Sequence, residues 1–253
     1  MESVTMRVFR GDPSGGAFVD YTVEMGEGQV VLDVIHTVQA TQAADLAVRW
    51  NCKAGKCGSC SAEVNGKPRL MCMTRMSALD ISRPISIAPI KTFPLIRDLV
   101  TDVSFNYEAA KRIPAFQPAP APPGGYRMMQ EDIERGQEFR KCIECFLCQN
   151  GCHVIRDHPE NTADFFGPRW FVRLADLEMH PLDTADRTEF IRDAGGIGYC
   201  NITKCCTEVC PEDIHITDNA IIPLKERVVD KYYDPFRWIF GKLGIGKDRE
   251  PRI

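Results

Sequence analysis

The residues that could do chemistry in this chain are its cysteines, and they stand in three groups. Cys142, Cys145, Cys148 and Cys152 are spaced three, three and four residues apart. Cys200, Cys206 and Cys210 follow the same ruler, with Thr203 at its second mark and Pro211 behind its last. A C-x₂-C-x₂-C-x₃-C run gives three closely spaced thiolates to one iron–sulfur cluster and lends its fourth to the cluster of a second run. Interlocked in that way, Cys142, Cys145, Cys148 and Cys210 form a four-thiolate site suited to [4Fe–4S]. Cys152, Cys200 and Cys206 form the reciprocal site. Three thiolates cannot ligate four irons equally, so with Thr203 at the fourth position this site is expected to hold [3Fe–4S].

The remaining group comes earlier. It reads Cys52-Lys-Ala-Gly55-Lys-Cys57-Gly58-Ser-Cys60, with Cys72 following. C-x₄-C-x₂-C…C is the plant-type [2Fe–2S] spacing. Gly55 and Gly58 let the backbone turn tightly and bring N–H groups towards sulfur. An oxidised cluster on four thiolates is net negative, and N–H dipoles with Lys53 and Lys56 would stabilise that charge. The alternative for the two lysines is a solvated loop. Cys205 falls off the ruler by one residue. It reads as a small buried apolar side chain, the alternative being a rescue ligand that converts the third site to [4Fe–4S].

Composition excludes other uses of these thiols. With 253 residues the chain makes one large domain or two small ones. A net charge of −4 offers no basic face to nucleic acid. Twelve cysteines would suit a disulfide scaffold in a secreted chain. However, the opening MESVTMRVFRGDPSGG has neither an apolar signal core nor an Arg/Ser-rich amphipathic presequence. Zinc accepts pairs of CxxC but gives no reason for three thiols in so short a run. No apolar run approaches the roughly 18–20 residues of a membrane span.

The elements that must position the thiols follow from periodicity. Residues 4–10 and 17–25 alternate apolar and polar around Gly11, Pro13, Gly15 and Gly16, which predicts an antiparallel hairpin. Helical spacing predicts a helix over 31–47, with Asp33 in its first turn. Strand, strand, helix is the opening of a β-grasp sheet. Asn65-Gly66 predicts a tight turn between strands 61–64 and 69–73, which returns Cys72 to the loop. A strand and a Pro-broken segment over 85–103 complete this part. Residues 113–126 are Pro-rich and uncharged, so they read as an extended connector lying over the second part. Beyond it, helices are expected over 128–138, 170–180, 186–193 and 219–233, with Pro223 in the last one's first turn. The tail, 235–253, carries Phe236, Trp238, Ile239 and Phe240 among basic residues. It reads as a terminal packing segment, with docking to a partner or membrane surface as the alternative. The fold class is therefore α+β: an N-terminal β-grasp plant-type [2Fe–2S] ferredoxin domain, 1–104, then a mostly α-helical two-cluster bacterial-ferredoxin-like domain, 105–253.

Three sites in this order, with Thr203 at the missing-ligand mark, resemble the iron–sulfur subunit of succinate dehydrogenase and fumarate reductase. The stretches that carry the resemblance are RWNCKAGKCGSC at 49–60, Cys72, PLIRDLVTDVS at 94–104, CIECFLCQNGC at 142–152 and CNITKCCTEVCP at 200–211. The resemblance implies a flavoprotein partner with FAD, a membrane anchor that handles quinone, and one-electron transfer through [2Fe–2S], [4Fe–4S] and [3Fe–4S] between them. It implies no substrate-binding residue on this chain and no acid or base. With no transit peptide in view, it implies a peripheral place on the cytoplasmic face of a bacterial plasma membrane. The chain departs from the family at three positions around the third site. His153 stands for a Pro, Asp157 for a Trp and Asn201 for a His. The usual quinone contacts are thus missing, so quinone sits further away or the anchor carries its own relay; His153 is the remaining polar candidate. Competing readings are a free-standing polyferredoxin and a subunit of another quinone- or heterodisulfide-linked respiratory complex. Co-purification with a flavoprotein separates the first of these.

Overall fold

The computed structural model describes residues 2–235. Strands β1 (Glu2–Asp12) and β2 (Gly15–Met25) pair antiparallel along their whole length. β3 (Ser61–Val64) and β4 (Lys67–Leu70) form a second hairpin whose turn is Asn65-Gly66. Both turn residues have positive φ, 49° and 73°, the backbone that a two-residue hairpin loop demands. β5 (Ile85–Ala88) joins the hairpins, parallel to β1 and antiparallel to β3. The sheet order is β2-β1-β5-β3-β4. Helix α1 (Val31–Thr41) crosses one face and buries Val31, Leu32, Val34, Ile35 and Val38 in the core that holds Met6, Val8, Ile85 and Ile87. Each such side chain contributes roughly 1.5–3 kcal/mol.

Two local expectations are corrected, and one helix is new. α1 stops at Thr41, short of residue 47, because side chains divert the chain. Gln39 donates to the Leu46 carbonyl, and the Ala47 N–H is drawn to the Asp98 carboxylate at 2.8 Å. β4 runs 67–70, so Cys72 follows the strand instead of standing on it. A helix that periodicity did not announce, α2 (Ser104–Arg112), follows the small β6 (Leu95–Arg97) and β7 (Val100–Thr101) hairpin.

The connector is extended and lies across residues 180–187. Pro118 bridges Asp183, Ala119 N–H donates to the Leu182 carbonyl, and Thr184 N–H donates to the Gln117 carbonyl. Its anchor is Arg187, whose side chain is wholly buried. The guanidinium meets Asp183 at 2.8 Å and donates to the carbonyls of Pro114 and Ala115 at 2.8 and 2.7 Å. Helices α3 (Gln130–Arg140), α4 (Leu147–Gly151), α5 (His153–Arg156), α6 (Pro168–Glu178), α7 (Thr188–Arg192), α8 (Cys205–Glu208) and α9 (Ile222–Tyr232) complete the described chain. A π-helical turn, Ile216–Ile221, leads into α9. α6 supplies Phe171, Leu174 and Ala175 to a second core shared with Ile216, Ile221 and Leu224. The two cores do not stand apart, because Phe146, Leu147, Phe166 and Trp170 pack into the first. The aromatic tail expected over 235–253 lies, from residue 236 on, outside the described residues.

Candidate metal centres

The Cys52–Cys60 loop is built to aim backbone donors at sulfur. Ala54 and Lys56 N–H both donate to Cys52 Sγ at 3.3 Å, and Cys52 N–H donates to Cys57 Sγ at 3.5 Å. Cys72 N–H reaches Cys60 Sγ at 3.5 Å, tying the turn after β4 to the loop. Such turns need left-handed backbone, supplied by Lys53, Gly55 and Gly58 at φ 55°, 67° and 67°. The loop is wetter at one end than at the other. Burial opposes ionisation of Cys57, yet hydrogen bonds from Ser59 and Cys52 bring its thiol down to about 7. Burial pushes the Cys60 thiol up to about 12. Neither lysine is simply solvated: Lys53 Nζ lies over the Trp50 ring at 4.7 Å, and Lys56 Nζ meets Glu212 at 3.3 Å.

Cys142, Cys145, Cys148 and Cys210 line one cavity, with Val172, Ile214 and Ile216 in its almost wholly apolar wall. Burial, followed by the neighbouring thiols, drives Cys148 well above the usual thiol range, and burial pushes Cys145 up to about 12. Cys145, Cys148 and Cys210 resist ionisation in this apolar cavity, because each thiolate would be a desolvated charge beside others. Iron would supply the positive charge that lets them ionise, which is how these residues fit a cluster. Among the described residues no three His, Cys, Asp or Glu side chains close on one point as a single ion requires. A cluster of several irons spreads its thiolates further apart than one ion with bonds of about 2.3 Å.

Cys152, Cys200 and Cys206 form a third neighbourhood. Burial pushes Cys152 up to about 12, and Cys206 and Cys200 add to the rise. Cys206 is raised by burial and by Cys200. The second run repeats the backbone of the first. Glu144 and Phe146 have φ 54° and 59°; at the same marks Ile202 and Lys204 have 63° and 64°. Thr203 thus occupies the position of Cys145. Its hydroxyl lies 3.2 Å from His153 Nδ1 and 3.3 Å from Cys205 Sγ. Cys205 takes the place of Leu147, and both line a groove bounded by β4, α4 and α8. It is half-buried, not the buried apolar side chain expected. Asn201 is exposed, and Asp157 pairs with Arg156.

The first two centres touch. A Cβ on Gly58 would stand 2.5 Å from the Cα of Cys145. Ser61 Oγ lies 2.8 Å from the Cys145 carbonyl and 2.9 Å from that of Gly58. Behind this contact sits a polar hub that sequence reasoning missed. Gln149 and Asn150 are fully buried. Asn150 donates to the buried carboxylate of Glu63 at 3.0 Å and accepts from Thr92 N–H, while Gln149 donates to the Phe166 carbonyl. The available signal was two amides between Cys148 and Cys152, a place where a helix would otherwise show apolar side chains.

Comparison with known proteins agrees with this arrangement. The family described as "2Fe-2S iron-sulfur cluster binding domain" matches residues 5–108, and "4Fe-4S dicluster domain" matches 138–214. The succinate dehydrogenase iron–sulfur subunit of Bacillus subtilis is 31% identical over 206 residues, covering 77% of this chain and 76% of the relative. The fumarate reductase iron–sulfur subunit of Mycobacterium tuberculosis is 29% identical over 226 residues, covering 85% and 88%. A chain of the Mycobacterium smegmatis Sdh1 complex in the apo form superposes with a TM-score of 0.89 at 66% identity, over 92% of this chain and 98% of that one. Two ferredoxin-type cluster domains in this order, with relatives matched across most of their length, place the chain in the family of succinate dehydrogenase and fumarate reductase iron–sulfur subunits.

Proposed function

We propose that this chain carries electrons one at a time from FAD on a flavoprotein partner, through [2Fe–2S], [4Fe–4S] and [3Fe–4S], to quinone at a membrane anchor. In this reading Cys52, Cys57, Cys60 and Cys72 hold the first cluster. Cys142, Cys145, Cys148 and Cys210 hold the second, and Cys152, Cys200 and Cys206 the third. The clusters, when bound, supply the one-electron steps. The chain's own residues fix their spacing and their surroundings. The observation that carries the proposal is the contact of Gly58 and Ser61 with Cys145, which brings the backbones of the first two sites together. The second and third are joined covalently, because each run contributes thiols to both. The division near residue 104 belongs to the same proposal; among the described residues the strands lie within 2–101.

The partners follow from the family. A flavoprotein and a membrane anchor subunit complete the proposed relay; no helix among the described residues is long and apolar enough to cross a membrane. His153 shares a hydrogen bond with Thr203, which gives it a role at the third site whether or not quinone comes near.

The test is low-temperature EPR on the anaerobically purified complex, oxidised and then reduced with dithionite. The expected result is a nearly isotropic signal near g ≈ 2.01 in the oxidised state, with [2Fe–2S] and [4Fe–4S] signals on reduction (about the general values for such clusters). Absence of the oxidised signal from intact protein would overturn the [3Fe–4S] assignment and turn attention to Cys205. Purification without a flavoprotein would favour a free-standing carrier.

A further inference from the structure

Cys206 Sγ lies 3.4 Å from the hydroxyl oxygen of Thr217. The hydrogens around that contact have one consistent arrangement. Thr217 N–H donates to Thr207 Oγ1 at 3.0 Å, and the Thr207 hydroxyl donates in turn to Thr217 Oγ1 at 3.1 Å. Thr207 has then committed its only hydrogen, and the hydrogen of Thr217 is left for the sulfur. A thiolate bound to iron has no proton to give, so it can only accept. Thr217 is 1% exposed, which keeps water from competing for that hydrogen. A chain of hydroxyls in such surroundings strengthens its last bond.

The backbone explains how Thr217 gets there. It belongs to the π-helical turn Ile216–Ile221, a wider turn than the α-helix that follows. Turns of this kind are rare and recur at functional sites. The same turn places Ile216 in the wall of the four-thiolate cavity, so consecutive residues meet the second and third sites.

We propose that Thr217 is a positioning residue of the third site: held by Thr207, its hydroxyl donates to the Cys206 thiolate and raises the reduction potential of the cluster bound there. The proposal rests on the reading that Cys206 is a ligand of that cluster. Reduction adds negative charge to the iron–sulfur core, and a donor on a ligand sulfur stabilises the reduced form more than the oxidised one. The third cluster stands at the quinone end of the relay, where a higher potential draws electrons forward.

The experiment is an EPR-monitored redox titration of the oxidised signal in the anaerobic complex, for the wild type, Thr217→Val, Thr217→Ser and Thr207→Val. Thr217→Val keeps the shape and removes the donor. At the wild-type midpoint it is expected to raise the oxidised-to-reduced ratio roughly tenfold, equivalent to a midpoint about 59 mV lower for one electron. Thr217→Ser restores the wild-type midpoint. Thr207→Val leaves the donor but removes what orients it, and lowers the midpoint by less. A Thr217→Val complex that keeps its signal and titrates with the wild type overturns the proposal. Should Thr217→Val fail to load the cluster, an unshifted midpoint in Thr207→Val overturns it instead. A wild-type complex with no oxidised signal is a different failure, since it removes the ligand assignment beneath the proposal.

Discussion

Between residues 142 and 152 the chain makes its left-handed turns at Glu144 and Phe146; between 200 and 210 it makes them at Ile202 and Lys204, the same marks of the ruler. The surroundings differ. In the first run Phe146, Leu147 and Cys148 are buried, and Asn150 is tied to Glu63 beneath the sheet. In the second, Asn201 through Lys204 are exposed, with Thr203 held from the side by His153. The comparison teaches that the loop is shaped by its backbone and not by its ligands. One copy keeps its form with a hydroxyl where the other has a thiol.

The sharpest way to break the comparison is to remove a thiol from one run only. Cys206→Ser is expected to abolish the third-site signal and leave the other two; loss of the [4Fe–4S] signal instead would refute the crossed assignment. Next in size is Thr203→Cys. If the second loop has the first one's shape, the new thiolate completes a fourth corner. The oxidised EPR signal should then vanish and the complex gain about one iron per chain. A signal that persists unchanged means Thr203 is not at the vacant corner.

Smaller effects probe what each loop leans on. The Ser61 hydroxyl braces the first run alone, and Ser61→Ala should cost about 1 kcal/mol locally. Hydrogen exchange should quicken over 57–61 and 142–146 together while 200–206 stays as it was. Uniform quickening of both runs would deny the brace its place. Smallest is Ile202→Asn. A β-branched residue is an outlier in the left-handed region, whereas Asn visits it readily. Ile202 is 39% exposed, so little burial is lost. The exchange should stabilise the loaded complex by about 0.5–1 kcal/mol, read as a higher Tm; a lower one would show that the side chain docks somewhere.

How much of this was legible in the sequence depends on how local the cause is. The cysteine ruler, the Asn65-Gly66 turn and the first hairpin are written in neighbouring residues, and the fold class followed from them. The early end of α1 was not legible, because it depends on Asp98 reaching Ala47 across more than half the first sheet's length of chain. Arg187 gave no hint either. A lone arginine reads as surface, yet this one is buried with Asp183 and holds the connector by its carbonyls. Removing such a cation would strand its carboxylate at a cost of about 3–5 kcal/mol. Glu63, Gln149 and Asn150 escaped for the same reason: their partners come from distant segments, and no periodicity marks them. Thr217 was visible only as one more hydroxyl until its contact with Cys206 was seen.

The crossing of Cys210 into the cavity of Cys142, Cys145 and Cys148 has a consequence for the order of biosynthesis. Cys52, Cys57, Cys60 and Cys72 all lie within the first 72 residues, so every thiol proposed for that centre exists while most of the chain is still unmade. The other two wait for the second run. The cavity of Cys142, Cys145 and Cys148 lacks its fourth thiol until residue 210 has left the ribosome. The thiols proposed for the first centre are thus complete early in synthesis, and those proposed for the other two only once the second run has been made.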